Sequence, residues 1–171
     1  EVKVSRNLAG LSFPGTLSPV DRRKVAAQVG TALAGTCFEP TDLEQAGSLE
    51  RTLFMERRMI SKELASGQCG SVLFQRPGKE GASVSTNDGD HIRIRAIGPG
   101  SVLGLDSMVC RAMEVERLLS VSLKFARSTA FGYLTTLYKE SGSGMRASLI
   151  LHLPGLVVTE QMEPMISAVA Y

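Results

Sequence analysis

The chain's clearest strand pattern lies at residues 87–97, which read Asn87-Asp88-Gly89-Asp90-His91-Ile92-Arg93-Ile94-Arg95-Ala96-Ile97. The first four residues are typical of a turn, because Asn, Asp and Gly adopt turn conformations easily. Successive side chains of a strand point to opposite faces, so His91, Arg93 and Arg95 share one face and the apolar residues share the other. The stretch therefore predicts a strand with one face on a hydrophobic core and one polar face.

Further strands are predicted on both sides of this stretch. Residues 71–75 and 82–86 are short runs separated by Pro77-Gly78-Lys79-Glu80-Gly81, which favours a tight turn. Residues 2–6 alternate briefly, and Gly98-Pro99-Gly100 ends the clearest strand. The sequence therefore predicts several strands joined by short turns, with two later strands at residues 131–137 and 147–153.

Helical patterns occur before, between and after these strands. Ser18 followed by Pro19 is a good helix start, because a hydroxyl caps the helix and proline suits its first turn. Apolar residues at helical spacing predict further helices at residues 48–58, 61–65 and 105–126, and a last one beginning near Thr159. The order predicts an α+β fold with a largely antiparallel sheet flanked by helices, in a single domain spanning residues 1–171.

Composition argues against several classes of function. Nineteen basic and seventeen acidic residues leave a net charge of +2, too small to indicate nucleic acid or an anionic membrane. No window approaches the roughly 18 apolar residues that a membrane span needs, and the start lacks a signal-peptide pattern. Three cysteines without C-x-x-C predict reduced, buried thiols and no metal site. We therefore expect no nucleic-acid partner, no membrane span, and a cytoplasmic location or an organelle after a cleaved targeting segment.

Two places could bind phosphate groups. Arg93 and Arg95 lie about 6.6 Å apart along one strand face, and planar guanidinium groups bind phosphate oxygens bidentately. The second place is Gly142-Ser143-Gly144-Met145-Arg146, where glycines would expose backbone N–H groups to an anion beside an arginine. The alternatives are a solvated sheet face and an ordinary turn. Asp88 and Asp90 could likewise hold Mg²⁺ or simply form a turn.

Several segments, in order, resemble the ATP:guanido phosphotransferase (phosphagen kinase) superfamily, and most closely its bacterial protein-arginine kinases. The matching segments are Val4-Ser5-Arg6-Asn7-Leu8 with Phe13-Pro14, Phe54-Met55-Glu56-Arg57-Arg58-Met59-Ile60-Ser61, Asn87-Asp88-Gly89-Asp90-His91-Ile92-Arg93-Ile94, Phe131-Gly132-Tyr133-Leu134-Thr135, Gly142-Ser143-Gly144-Met145-Arg146-Ala147-Ser148 and His152-Leu153-Pro154-Gly155-Leu156. They resemble the family's R-N-L…F-P, L-x-E-x-H-L-I-S, N-E-E-D-H-L-R-I, F-G-Y-L-T, G-T-G-L-R-A-S and H-L-P-x-L motifs.

The resemblance implies ATP-dependent phosphorylation of a guanidinium group, with ATP or ADP and Mg²⁺ as the nucleotide and metal. Arg93, Arg146 and Lys3 would bind the nucleotide phosphates, and His91 would lie beside them. Gly142 and Gly144 would form the loop. The implied partners are a nucleotide and a protein, either an arginine-containing substrate or a binding partner.

The chain departs from the family at positions that matter for catalysis. The two arginines of the family's R-V-R fall on Glu1 and Lys3, and the acceptor glutamate of N-E-E-D falls on Gly89. The active-site cysteine falls on Leu137, and the family's C-terminal R-G-x-x-G-E is not found in the sequence. The resemblance therefore describes a shortened, partly degenerate catalytic domain whose catalytic residues are unknown.

Three hypotheses follow from this comparison of motifs. The first is a protein-arginine-kinase-like domain that binds ATP or ADP, with weak or absent phosphotransfer. The second is a non-catalytic pseudokinase that serves as a structural or regulatory subunit of a larger assembly. The third is a peptide- or phosphoarginine-binding module, which needs a basic pocket but no glutamates.

Overall fold

A computed structural model describes residues 1–76, 81–98 and 102–169, with the backbone alone for residues 102 and 103. The strands are β1 Val2–Arg6, β2 Glu39–Asp42, β3 Val72–Gln75, β4 Ala82–Asp88, β5 Asp90–Ala96, β6 Arg127–Ser128, β7 Gly132–Tyr133 and β8 Met145–Ala147. The helices are α1 Pro19–Ala32, α2 Ser48–Glu56, α3 Lys62–Ala65, α4 Val102–Ser120, α5 Pro154–Val158 and α6 Met162–Val169, with short 3₁₀ helices at Pro14–Thr16 and Tyr138–Glu140.

Six strands form one sheet in the order β2-β3-β4-β5-β1-β8, and every neighbouring pair is antiparallel. The first strand of the chain thus lies between β5 and β8. Strands β6 and β7 form a separate two-stranded ribbon. The predicted α+β fold with an antiparallel sheet flanked by helices is confirmed.

The main core lies between one face of the sheet and helices α1 and α4. The apolar residues predicted for β5, Ile92 and Ile94, are fully buried against Val4 of β1 and Val84 of β4. Burying an aliphatic side chain of this size contributes about 1.5–3 kcal/mol. Leu73 of β3 points the other way into a smaller cluster formed with α2 and α3. Helices α1 and α4 therefore cover one face of the sheet, and α2 and α3 cover the other face beside β3. The rest of that second face, over β4, β5, β1 and β8, is polar.

Helix α1 begins where the sequence predicts. The Ser18 side chain accepts a hydrogen bond from the Asp21 N–H at 3.1 Å, and Pro19 occupies the first helical position. This cap satisfies a backbone donor that the helix itself leaves unpaired. The helix packs on the core through Val25 and Val29, which are fully buried.

Helix α4 ends at Ser120, six residues earlier than predicted. The carbonyl of Lys124 accepts from the Ala9 N–H, and the Ala126 N–H donates to the carbonyl of Asn7. These hydrogen bonds to the segment after β1 replace the helical ones. The apolar periodicity continues past the helix end because Leu123 and Phe125 still pack on the core.

The two later strands are much shorter than predicted. Only Gly132–Tyr133 of residues 131–137 is a strand, and residues 147–153 contribute only Ala147, at the end of β8. Strand β8 pairs with β1, and Ser148 makes the last hydrogen bond to the carbonyl of Glu1. Among the described residues no partner strand lies beyond that point, so alternation alone does not produce a strand there.

The C-terminal helical region also differs from its prediction. Two short helices, α5 and α6, replace the one expected near Thr159. Glu160 between them has a positive φ of 56°, which interrupts helical geometry. The predicted burial of the cysteines is wrong for Cys37 and Cys110, which are exposed.

Two predicted turns fall largely outside the described residues. These are the turn at 77–81, of which only Gly81 is described, and the strand end at 98–100, of which only Gly98 is described. Within the described helices, none is long and apolar enough to cross a membrane.

Candidate functional site

A row of three cationic side chains crosses the polar face of the sheet. In the strand register, Lys3 of β1 lies opposite Arg95 of β5 on one side and opposite Arg146 of β8 on the other. Neighbouring strands are about 4.7–4.9 Å apart, so residues in register on one face are close neighbours. Arg93 lies two residues before Arg95, opposite Ser5 of β1. The structure thus brings together Lys3, Arg93 and Arg146, which the sequence placed in three separate segments.

Four carboxylates neutralise these four cations. Glu140 contacts both Lys3 Nζ, at 2.8 Å, and Arg146 Nη1, at 3.5 Å. The remaining ion pairs are Arg93 with Asp88 at 3.2 Å and with Asp90 at 3.6 Å, and Arg95 with Asp88 at 2.7 Å and with Glu1 at 3.7 Å. Like charges directly opposite each other destabilise a sheet, so the row depends on these counter-charges.

The arginine side chains of β5 are largely buried. The side chains of Arg93 and Arg95 are only 12% and 6% exposed. Arg95 also donates to the carbonyl of Met59 at 3.0 Å and to the Ser85 hydroxyl at 2.9 Å. The alternative of a solvated sheet face is therefore wrong for these two residues. By contrast, the side chain of Arg146 is 63% exposed.

Asp88 is the centre of the ion-pair network. Its carboxylate binds both β5 arginines, accepts from the Ser85 hydroxyl at 3.0 Å, and accepts from the Ser61 N–H at 3.3 Å. Burial alone would raise the pKa of Asp88, but Arg95, Arg93 and the hydrogen bond from Ser61 together bring that pKa below its usual value. The carboxylate is therefore charged in the folded protein at neutral pH.

Asp90 fixes a loop rather than offering a free carboxylate. Its Oδ1 accepts from the Asn7 side-chain amide at 2.8 Å and from the Thr136 N–H at 2.8 Å. The turn interpretation of this segment is confirmed, since Asp88 at the end of β4 and Asp90 at the start of β5 are strand partners on either side of Gly89. In the part of the chain that the structure describes, no group of three or more His, Cys, Asp or Glu residues could hold a metal ion.

Gly89, which the motif resemblance aligns with an acidic position, packs against Arg93. Its φ is +76°, and a Cβ atom added there would clash with Nη2 of Arg93. The space that a side chain at position 89 would enter is thus filled by the Arg93 guanidinium. Arg93 lines two cavities, one of about 390 Å³ beside Gly89 and one of about 230 Å³ beside Lys3 and Arg146.

Both ring nitrogens of His91 are occupied by backbone groups. Nδ1 accepts from the Leu8 N–H at 3.0 Å, and Nε2 lies 2.8 Å from the carbonyl of Ser12, so the Nε2–H tautomer fits both contacts. Burial lowers the pKa of His91, and this outweighs the contacts with Ser12 and Asp90 that favour the protonated ring. The neutral ring holds the segment after β1, and its position beside a nucleotide stays a prediction.

The glycine-rich loop is held by a buried arginine that sequence reasoning did not assign to the site. Arg6 Nη1 donates to the carbonyls of Ser143 at 2.9 Å and Ser5 at 2.8 Å, and Arg6 Nε pairs with Glu116 at 3.1 Å. A Cβ on Gly144, whose φ is +61°, would clash with Arg6 and with the Ser5 carbonyl. Glycine is therefore required at position 144. The match to the family's R-N-L motif is the sequence feature from which a role for Arg6 could have been predicted.

Sequence comparison defines the class to which this fold and site belong. Residues 22–171 match the family model described as ATP:guanido phosphotransferase, C-terminal catalytic domain. This match covers most of the chain, and the chain therefore belongs to that family.

The curated relatives include protein-arginine kinases. Those of Moorella thermoacetica and Pelotomaculum thermopropionicum are 32% and 33% identical to this chain over 98% of its residues. The matches cover 49% and 48% of these relatives, so the chain spans about half their length.

Solved structures of phosphagen kinases have the same fold. The duplicated taurocyamine kinase from Schistosoma mansoni, with bound transition state analog components, has a TM-score of 0.80 and 26% identity, covering 96% of this chain and 25% of that one. Lombricine kinase has a TM-score of 0.72 and 19% identity over 98% of this chain and 50% of its own, and supports the fold alone.

Proposed function

We propose that this chain is a protein-arginine-kinase-like domain that binds ATP or ADP and whose own phosphotransfer is weak or absent. The observation that carries the proposal is the row of Arg95, Lys3 and Arg146 across one sheet face. Lys3, Arg93 and Arg146 would bind the nucleotide phosphates, with the loop at Gly142 and Gly144 beside them. The acceptor class would be arginine side chains of proteins, as the names of the curated relatives indicate.

Anion binding is supported by the exposure of one end of the row. Arg146 is largely exposed and its carboxylate partner lies at 3.5 Å, so its guanidinium is the most available of the four cations. Charge-assisted hydrogen bonds to phosphate are among the strongest polar contacts in proteins. Lys3, Arg93, Arg95 and Arg146 line one cavity of about 230 Å³ together with Glu1 and Ser148, and phosphate oxygens would reach the cations there by replacing a carboxylate partner.

Weak or absent phosphotransfer is supported by Gly89. At the family's acceptor-acid position this chain has no carboxylate, and the Arg93 guanidinium fills the adjacent space. Phosphoryl transfer depends on positioning and on charge placed where the transition state needs it. Loss of one such group typically costs a factor of about 10²–10⁵ in rate.

Magnesium would enter with the nucleotide rather than through a preformed protein site. The two aspartates nearest the cations, Asp88 and Asp90, are both engaged by arginines and by hydrogen-bond donors. Mg²⁺ is often bound through substrate phosphates and only one or two carboxylates. The ion would neutralise charge on the phosphates when bound.

The second candidate is a non-catalytic pseudokinase acting as a structural or regulatory subunit. The observation that favours it is the complete pairing of the basic row with Glu1, Asp88, Asp90 and Glu140. A phosphate would have to displace one of these carboxylates. If none yields, the face is a structural ion-pair network and the chain acts through protein contacts.

Calorimetric titration of the chain with Mg²⁺-ADP separates the two candidates. The proposal predicts micromolar binding that Arg146→Ala weakens about 10- to 100-fold, the effect of one charged hydrogen bond. Arg117→Ala on the exposed side of α4 is the matched control and should bind as the wild type does. No detectable heat at millimolar nucleotide would contradict the proposal and favour the structural subunit.

A further inference from the structure

Glu140 is the counter-ion that Lys3 and Arg146 of the basic row share. It closes the 3₁₀ helix Tyr138–Glu140, and its side chain is only 7% exposed. Oε1 accepts from Lys3 Nζ at 2.8 Å and lies 3.5 Å from Arg146 Nη1. Oε2 is buried without a hydrogen-bond partner among the described residues. In the part of the chain that the structure describes, the carboxylate is thus held only by its contacts with Lys3 and Arg146.

We infer that the Glu140 carboxylate is an internal competitor for the nucleotide phosphate. This inference rests on the proposed nucleotide binding at Lys3 and Arg146. A carboxylate and a phosphate present oxygen acceptors to the same ammonium and guanidinium donors. With Glu140 in place these donors are occupied by the chain's own anion, and nucleotide binds only when that anion withdraws.

The segment that carries Glu140 is suited to withdrawal. The preceding residues Leu137 and Tyr138 are 53% and 81% exposed, and the 3₁₀ helix has only three residues. The two ends of the segment are fixed, one by the Thr136 N–H, which donates to Asp90, and the other by the backbone pair of Tyr133 with Gly142. Between these ends the Thr135 hydroxyl donates to the carbonyl of Leu137 at 2.8 Å, a contact within the segment itself. A small shift of this turn would separate Glu140 from both cations without disturbing the core.

The two aspartates of the network do not have this freedom. Asp88 is fully buried and accepts from the Ser61 N–H and the Ser85 hydroxyl in addition to its two arginines. Asp90 is held by Asn7 and by the Thr136 N–H. Displacing either would leave several buried donors without partners, which costs far more than releasing Glu140.

Glu140→Gln tests the inference, because glutamine keeps the size and removes the charge. We expect the affinity for Mg²⁺-free ADP and for inorganic pyrophosphate, measured by calorimetry at fixed ionic strength, to rise about tenfold, the effect of removing one competing charged contact. Glu114→Gln, on the exposed side of α4, makes the same charge change and should leave both affinities unchanged. Glu140→Asp retracts the carboxylate by one methylene and should give a smaller rise.

Thermal denaturation of each variant establishes that the folded protein is being titrated. Equal affinities of wild type and of both folded Glu140 variants would overturn the inference and leave the proposed nucleotide binding standing. No detectable binding by any folded variant at millimolar ADP would overturn both. A purely structural role for Glu140 predicts lower stability with no gain in affinity.

Discussion

Gly89 combines a conformational and a steric requirement at one residue. Its positive φ suits glycine, and the space beside its Cα is filled by the guanidinium of Arg93. That guanidinium is held by Asp88 and Asp90, so it cannot swing away freely. Glycine at position 89 is therefore what lets Arg93 adopt its buried, paired position.

Gly89→Ala should therefore destabilise the protein more than an alanine at an open glycine with the same backbone conformation. Gly10 is the matched control, because its φ is +80° and no heavy atom lies within 4 Å of a Cβ added there. Gly10→Ala reports the backbone strain alone. We expect Gly89→Ala to cost about 1.5–3 kcal/mol more in urea denaturation, from the disturbed ion pairs of Arg93. An equal loss in the two variants would show that Arg93 moves aside without cost.

At the scale of elements, the β4–β5 hairpin is joined to α3 through Asp88. The carboxylate at the end of β4 binds two arginines of β5 and the N–H of Ser61, the capping residue of α3. A single buried acid thus connects two strands and a helix. Removing its charge leaves two buried guanidinium groups without their main partner.

Asp88→Asn should cost about 3–5 kcal/mol at pH 7, the usual effect of breaking a buried ion pair. The pKa of Asp88 is lowered in the folded state, so its contribution is complete above the unfolded-state pKa of about 3.9 and is lost as pH falls through the lower folded-state pKa. The stability gap between wild type and variant should therefore narrow below about pH 4. Denaturation curves from pH 7 to pH 3 measure it.

Asp106→Asn, on the exposed side of α4, is the control and should change stability by less than about 0.5 kcal/mol. A gap between wild type and Asp88→Asn that stays constant down to pH 3 would contradict the assigned charge of Asp88. A difference in stability that increases as the pH falls would mean that folding raises the pKa of Asp88 rather than lowering it.

Elements differ in how far the sequence predicts them. The faces of β5 follow from alternation, and the start of α1 follows from its cap, because both are local properties. The end of α4 and the shortness of β7 and β8 depend on partners elsewhere in the chain. Helix α4 ends early because the carbonyl of Lys124 accepts a hydrogen bond from the Ala9 N–H. Strand β8 extends only as far as β1 provides backbone hydrogen-bond partners.

The candidate site was predictable as residues but not as a network. Motif positions singled out Lys3, Arg93 and Arg146, whereas their alignment in one row requires β1 to lie between β5 and β8. The carboxylate partners of these cations could not be predicted for the same reason, since Glu140 lies near Lys3 only in the folded sheet. Long-range register, not local pattern, decides which charges meet.

At the scale of the whole molecule, a kinase-family fold presents a basic sheet face whose charges are balanced from within. The fold brings the cations together, and in the proposed function the carboxylates paired with them would set how readily an external phosphate binds. In the proposed function, the absence of an acid at position 89 would separate nucleotide binding from phosphotransfer. The central claim is therefore that the chain binds nucleotide but transfers phosphate weakly or not at all.

Phosphorus NMR of the purified chain with Mg²⁺-ATP and an arginine-containing peptide tests both halves of this claim in one sample. We expect the ATP resonances to broaden or shift on adding protein, and no phosphoramidate signal to accumulate over hours. Steady growth of a phosphoramidate signal would contradict the assigned loss of phosphotransfer. Unchanged ATP resonances at equimolar millimolar protein would contradict nucleotide binding.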